Sequence, residues 1–264
     1  MEHKIVGLIA AMPGEIRPLL KIAGKYSKTK IGEFNLYSFS VKGRECRLLE
    51  SGIGIRRAAR AAQTLISDVR PGLIISFGFG GAVLPGMAAG DLAVAERTSL
   101  WRETSSDIGE TIELSIPASV LPTLKNIGIK LGFSARQADF ITSGNILNKK
   151  ELTGFLPGYA TNPVLDMETW AIVRETIAGN IPLLAIRAVS DAADEELDFS
   201  LDLFTDHEMN IRISRILLAI ARKPGLLPQL IRLAGNSRVA GRNLAFALRG
   251  LLENDSLTGA QIRQ

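Results

Sequence analysis

The chain has 264 residues, 46% hydrophobic and 22% charged, which is ordinary globular composition and enough length for one sizeable core. Its formal net charge of +4 comes from 31 Lys/Arg and 27 Asp/Glu, yet residues 222–264 hold seven of the former and only two of the latter. Basic character is thereby confined to the tail, and a lone cysteine, Cys46, excludes an internal disulfide framework.

Ile5 to Met12 is a short apolar run that leads directly into Pro13-Gly14-Glu15, without a signal-peptide cleavage pattern. A first buried strand over Lys4 to Ala11 is expected, then a helix carrying Ile16, Leu19, Leu20 and Ile22. Glu15 at this junction reads either as a first-turn helix acid or as a site carboxylate. Phe34 to Val41 and Glu45 to Glu50 pair through a Lys42-Gly43 turn. Ser51-Gly52-Ile53-Gly54 then opens a helix with Ala58, Ala59, Ala62 and Leu65 inward. It lacks the third glycine of a dinucleotide fingerprint and reads instead as backbone N–H groups offered to an oxygen-rich ligand.

Pro71 to Gly90 is uncharged and as long as a membrane span. Its glycines and prolines predict a strand, Leu73 to Phe77, followed by a loop; a cytoplasmic chain without a membrane span is expected. The loop glycines Gly78, Gly80 and Gly81 admit two readings: close backbone approach to a ligand, or a flexible surface turn. A strand over Leu92 to Ala95 follows, then a polar surface excursion over residues 99–116 and a helix from Pro117 to Ile127. Ser134 to Thr142 is a strand, with Ser143-Gly144-Asn145 turning at its carboxyl end.

Pro163 to Asp194 predicts a strand ending at Leu165, a helix opening at Asp166, a turn at Gly179-Asn180 and a buried strand from Pro182 to Val189. Asp166, Glu168 and Asp191 fit helix caps and first turns, but Arg187 inside an apolar strand needs a partner, with Glu168 or Asp191 in reach. A buried acid–base cluster at a strand end is a site signature. Phe199 to Ala221 predicts an amphipathic helix on which His207 is a surface residue. With only His3 besides, no metal site can be argued. In the tail, LLPQLIRLA and SRVAGRNLAFALRGLL read as two helices, with Arg238, Arg242 and Arg249 on one side and Val239, Leu244, Phe246, Leu248 and Leu251 largely away. Such a helix suits anionic lipid, or docks on the domain or on an oligomer partner. No aromatic stacking platform accompanies it, so no nucleic acid is expected. Strands alternating with helices predict an α/β domain, its mainly parallel sheet covered on both faces. Glu15, the Gly78 loop, the Ser143 turn, Glu168 and Asp191 would then meet at one sheet edge.

Six segments carry a resemblance: LIAAMPGEI (8–16), SGIGIRRAA (51–59), ISFGFGGAVLPGMAAGD (75–91), ITSGN (141–145), LDMETWAI (165–172) and RAVSDAAD (187–194). In order and spacing the chain resembles the purine nucleoside phosphorylase and nucleosidase superfamily, in particular its methylthioadenosine/S-adenosylhomocysteine nucleosidase branch. The resemblance implies a single three-layer αβα domain with a mixed, mainly parallel sheet over residues 1–221 and a helical extension over 222–264. It implies that Asp191 protonates purine N7, that Glu15 activates the attacking water, that Met167 and Glu168 hold the ribose, and that Arg187 orients the acid. Phe79, Gly78, Gly80, Ser143 and Leu147 would line the nucleoside, with no cofactor or metal, in a homo-oligomer. An exposed aspartic acid has a pKa near ~3.9, so Asp191 must be desolvated or borrow its proton. Phe79 departs from the serine of the nucleosidases and the phosphate-binding hydroxyl of the phosphorylases. Leu147 stands where an aromatic residue stacks on adenine, and Trp170 where a smaller residue is expected. The tail resembles that of hopanoid-associated members, which remove adenine from adenosylhopane; this implies a lipid-linked nucleoside and contact with a membrane surface. Phosphorolysis, futalosine hydrolysis and a non-catalytic nucleoside-binding module are the alternatives.

Overall fold

A computed structural model describes residues 5–145, 147–195, 222–223, 225–254 and 257. The expected helix over Phe199 to Ala221, with His207, and the start of the first strand at Lys4 lie outside these residues. The first strand, β1 (Val6–Ala10), is buried along its whole length, as a strand covered on both faces must be. β4 (Arg44–Glu50), β1, β5 (Leu73–Ala82) and β10 (Leu183–Asp191) run parallel in that order. β3 (Phe34–Val41) and β2 (Tyr26–Ile31) extend the β4 edge as antiparallel strands.

Beyond β10 the sheet curls. β6 (Leu92–Arg102) pairs with β10, β8 (Ala135–Thr142) with β6, and β9 (Val164–Asp166) with both β8 and β5. These pairings close a ring through β5, β10, β6, β8 and β9. β5 therefore has β10 and β9 as well as β1 against it, which brings the carboxyl ends of β9 and β10 beside its glycines.

Helices cover both faces. α1 (Pro13–Ala23), α3 (Val120–Leu131) and α6 (Leu226–Glu253) share one core with Leu8, Ile75 and Phe77. α2 (Ile55–Thr64), which continues as a π-helical segment over Leu65–Val69, packs with α5 (Thr169–Ala178) against Ile9 and Ile74. Among the described residues, no helix is long and apolar enough to cross a membrane.

Three sequence expectations change. Residues 78–82 are not a loop but the second half of β5. Residues 99–116, expected only as a polar surface excursion, form a hairpin there: β6 runs on to Arg102 and turns into β7 (Asp107–Glu113), whose polar side chains face outward. The tail is one continuous helix, α6. Its buried stripe is Ala240, Leu244, Ala247, Leu248 and Leu251, while Val239 (42%) and Phe246 (37%) are exposed. The stripe follows the i, i+4, i+7, i+8, i+11 spacing of one helix face, and Val239 and Phe246 fall off it. α6 comes close to α1 because Gly241 has no side chain: a Cβ there would lie 3.1 Å from the Gly14 carbonyl oxygen.

Candidate active site

The glycines of β5 are cut to fit three neighbours. A Cβ at Gly78 would lie 2.6 Å from Glu15 Oε1, one at Gly80 2.6 Å from Val164 Cγ1 and 3.3 Å from Arg187 Cβ, and one at Gly81 2.6 Å from Asp191 Oδ2. The close approach these glycines allow is thus made by Glu15, by β9 and Arg187, and by Asp191. Gly78 and Gly81 are three residues apart, so Glu15 and Asp191 meet β5 at points roughly 10 Å apart along the strand.

Glu15 occupies the third position of α1, where its carboxylate folds back onto the strand that precedes it. Oε2 accepts from the N–H groups of Ala11 (2.9 Å) and Met12 (2.8 Å), and Oε1 from that of Phe79 (2.9 Å). Burial pushes its pKa up; the N–H groups of Phe79, Met12 and Ala11, together with Arg187, oppose the rise. Phe79 offers its backbone to Glu15, while its ring packs at Gly14 and Gly241.

Glu168 stands just before α5, buried, with Oε1 accepting from the Gly54 N–H at 3.0 Å. The Ser51–Gly54 turn thus presents its N–H to a carboxyl of this same chain. Burial, then the neighbouring Asp166, raises the Glu168 pKa to about 8 against the pull of Arg187. Folded Glu168 keeps its proton up to about pH 8, whereas the unfolded side chain ionises near 4.5. Stability from this group is therefore full below pH 4.5 and drains away as pH rises to 8. Glu168→Gln, which cannot ionise, is expected to gain stability relative to the parent between pH 5 and pH 9. The gain should be at least about 1.4 kcal/mol, the worth of a one-unit shift. Urea midpoints at the two pH values measure it, and an unchanged difference would refute the assignment.

Arg187, 1% exposed, does not hold Asp191 as the resemblance implies. Its Nη2 is 2.8 Å from Asp166 Oδ2 and 3.9 Å from Glu168 Oε2, and Nη1 donates to Ser76 Oγ at 3.2 Å. Asp166 also accepts from the Thr142 hydroxyl (2.6 Å) and from the N–H and hydroxyl of Thr169. The reason is topological: β9 and β10 flank β5, and the missing side chain at Gly80 lets them close across it.

Asp191 is held by two residues that the sequence did not single out. Ser190 Oγ donates to Oδ1 at 2.6 Å, and Lys149 Nζ lies 2.5 Å from Oδ2. Lys149 begins α4 (Lys149–Thr153), a short helix whose start is capped by Asn148 Oδ1. In NKKE it looks like one more solvated charge, and only the fold turns it inward. Ser143 is buried, its N–H on the Asp166 carbonyl oxygen and its Oγ accepting from the Asn145 N–H. Met167 is half-buried. Leu147 lines a cavity of about 360 Å³ with Trp101, Asn148, Leu152 and Phe155. Among the described residues, no three His, Cys, Asp or Glu side chains gather to hold a metal ion.

Residues 5–222 match the family model described as the phosphorylase superfamily. A 5′-methylthioadenosine/S-adenosylhomocysteine nucleosidase of Haemophilus influenzae (strain PittEE) is 26% identical over 208 residues, 75% of this chain and 91% of the relative. The fold matches a nucleosidase of the same name from Neisseria meningitidis, in complex with methylthio-immucillin-A. That likeness has a TM-score of 0.70 at 18% identity over 95% of this chain and 99% of the other. Futalosine hydrolase of Helicobacter pylori strain 26695 matches with a TM-score of 0.70 at 16% identity, over 95% and 97%.

Proposed function

Because the chain belongs to the phosphorylase superfamily, we propose that it is a nucleosidase, hydrolysing the N-glycosidic bond of a 5′-substituted adenosine to release adenine. One observation carries this reading: Glu15 and Asp191, far apart in sequence, are buried against Gly78 and Gly81 of β5, and Glu168, also buried, shares the Arg187 cation with Glu15. An N-glycosidic bond breaks through a cationic sugar, so the leaving base needs a proton and the sugar needs nearby negative charge. Asp191 gives the proton to N7, Glu15 takes one from the attacking water, and Glu168 holds the ribose hydroxyls beside Met167. Ser143, Gly78 and Phe79 line the nucleoside, whereas Gly80 is covered by Val164 and Arg187 and Leu147 faces the cavity at Trp101.

Water rather than phosphate is the nucleophile. Phe79 presents no side-chain hydroxyl, and the buried cation Arg187 is already matched by Asp166, which leaves a phosphate dianion facing two carboxyl groups. The relative named as a methylthioadenosine/S-adenosylhomocysteine nucleosidase supports the same choice. A panel of 5′-substituted adenosines, with futalosine, assayed for free base with and without phosphate tests it. Adenine released without phosphate is expected. Phosphate-dependent release makes the chain a phosphorylase, hypoxanthine from futalosine makes it a futalosine hydrolase, and no release leaves a binding module.

The finer reading is a lipid-linked substrate of the adenosylhopane kind, with the chain cytoplasmic and resting on the membrane. α6 supports it: Leu227, Ile231, Val239 and Phe246 are exposed along the same helix as Arg238 and Arg242, the mixture that settles in an anionic interface. The parent should float with phosphatidylglycerol vesicles, and Val239→Glu combined with Phe246→Glu should abolish flotation while a water-soluble adenosine is still cleaved. Flotation that survives both changes removes α6 from this role. A homo-oligomer completes the proposal, with a second subunit over the apolar cavity at Trp101 and Phe155; sedimentation of the purified chain measures it.

A further inference from the structure

Resting on that nucleosidase reading, we propose that Lys149 is a positioning residue for Asp191 and the reserve from which Asp191 draws the proton it hands to the base. Lys149 is 4% exposed, and a buried ammonium is costly unless it is matched by charge and hydrogen bonds. Here both are present: Asp191 Oδ2 at 2.5 Å, and the carbonyl oxygens of Ala192 (2.7 Å), Glu195 (3.2 Å) and Asp191 itself (3.3 Å). The carbonyls of Ala192 and Glu195 belong to the turn that follows β10, so the ammonium fixes the course of that turn as well as the carboxylate.

The turn is tied down from its other side. Glu195 Oε2 accepts from the Ala192 N–H and from Asn236 Nδ2, both at 3.0 Å, and Oε1 pairs with Arg232 at 3.1 Å. Asn236 and Arg232 are on α6, and Asp191 is the acid in direct contact with the ammonium. Ser190 donates to Oδ1 and Lys149 to Oδ2, so in this arrangement Asp191 accepts hydrogen bonds at both oxygens and is matched as an anion. An ionised carboxylate cannot protonate a base until something protonates it. The nearest source is the ammonium already in contact with it.

The step balances. As the bond from C1′ to the purine nitrogen breaks, its electron pair stays with the base. Lys149 passes a proton to the Asp191 carboxylate, and Asp191 passes one to N7, leaving a neutral amine and a carboxylate. Water gives hydroxide to C1′ and a proton to Glu15. Solvent then returns a proton to Lys149 and removes the one on Glu15.

Lys149→Met keeps length and burial while removing the charge and the proton; Lys149→Arg keeps the charge. With 5′-methylthioadenosine, or a panel member the parent cleaves faster, Lys149→Met should lose about 10²-fold or more in kcat, the lower end for general acid catalysis. Its KM should move little, and Lys149→Arg should recover part of the loss. With p-nitrophenyl β-D-ribofuranoside, whose leaving group needs no proton, Lys149→Met should stay within about threefold of the parent, a factor below the range of a lost acid. The alkaline limb of its kcat profile on adenosines should move to lower pH, because Asp191 must then draw on solvent. Full activity on both substrates, or equal loss on both with an unmoved pH profile, overturns the proposal and leaves Lys149 a structural ion-pair partner. A parent enzyme that releases no base from any panel member fails the nucleosidase reading itself, before any variant is compared.

Discussion

Asp191→Asn should reduce kcat for adenine release by about 10²–10⁴-fold, the range for removal of a general acid, with KM changed far less. The asparagine keeps the shape of the side chain, and its one side-chain oxygen can still accept from Ser190 or Lys149, which now donate to Oδ1 and Oδ2, while its amide NH2 meets the other donor without a bond. What it cannot do is carry a proton to N7, and that transfer is needed only as the bond breaks. An interaction made only in the transition state lowers kcat and kcat/KM together when it is removed. Because Lys149 loses its counter-charge, folding must be checked alongside: a native circular dichroism spectrum and a single unfolding transition at the assay temperature are the controls. Turnover within about tenfold of the parent in a folded variant lies below that range and would remove Asp191 from the chemistry. The contrast with Lys149→Met is informative, since in the proposed mechanism Asp191 contacts the base whereas Lys149 acts through Asp191.

How much of this could be read from the chain follows from what each residue does. Glu15, Glu168 and Asp191 were legible because each sits where an apolar strand gives way to a helix or turn, and α/β alternation gathers such junctions at sheet edges. The direction of α6 and its buried leucines follows from helical spacing, although Val239 and Phe246 were placed on the wrong side. The ring through β5, β10, β6, β8 and β9 leaves no trace in alternation, because β9 has only three residues and its pairing with β5 is decided by tertiary packing. Gly78, Gly80 and Gly81 announce that something comes close, not what. Carboxylates and a neighbouring strand come close here, so the segment is a buried strand instead of a loop. Lys149 carried no signal at all: it lies in a polar run between Asn148 and Glu151, and its inward turn depends on where α4 is set down.

Arg187 is a buried charge that needs a partner: of the two expected from the sequence, Glu168 lies at 3.9 Å, while the nearest acid is Asp166 at 2.8 Å, and Arg187→Met should therefore cost mainly stability. Arg187 is 1% exposed, paired with Asp166 at 2.8 Å and stacked at 5.9 Å from the centroid of Phe140. Methionine fills much of the same volume, so little cavity is created. The dominant effect is electrostatic: Asp166, 3% exposed, is left without its counter-charge, and Glu168 loses the cation that holds its pKa down. Removing one member of a buried pair costs about 3–5 kcal/mol. The hydrogen bonds from Thr142 and Thr169 to Asp166 remain, which places the loss towards the lower end. Asp166→Asn on top of Arg187→Met should restore part of the stability, because an amide has no charge to strand. Asp166→Asn alone should be destabilising, so the two changes together should cost less than their sum. Urea unfolding of the four proteins at pH 7 measures the coupling. Additive losses would mean that the ion pair at the heart of this network contributes nothing beyond its separate packing. The activity of Arg187→Met also reports on Glu168: with the cation gone, ionising Glu168 becomes harder still, so any step that requires its carboxylate should move to higher pH.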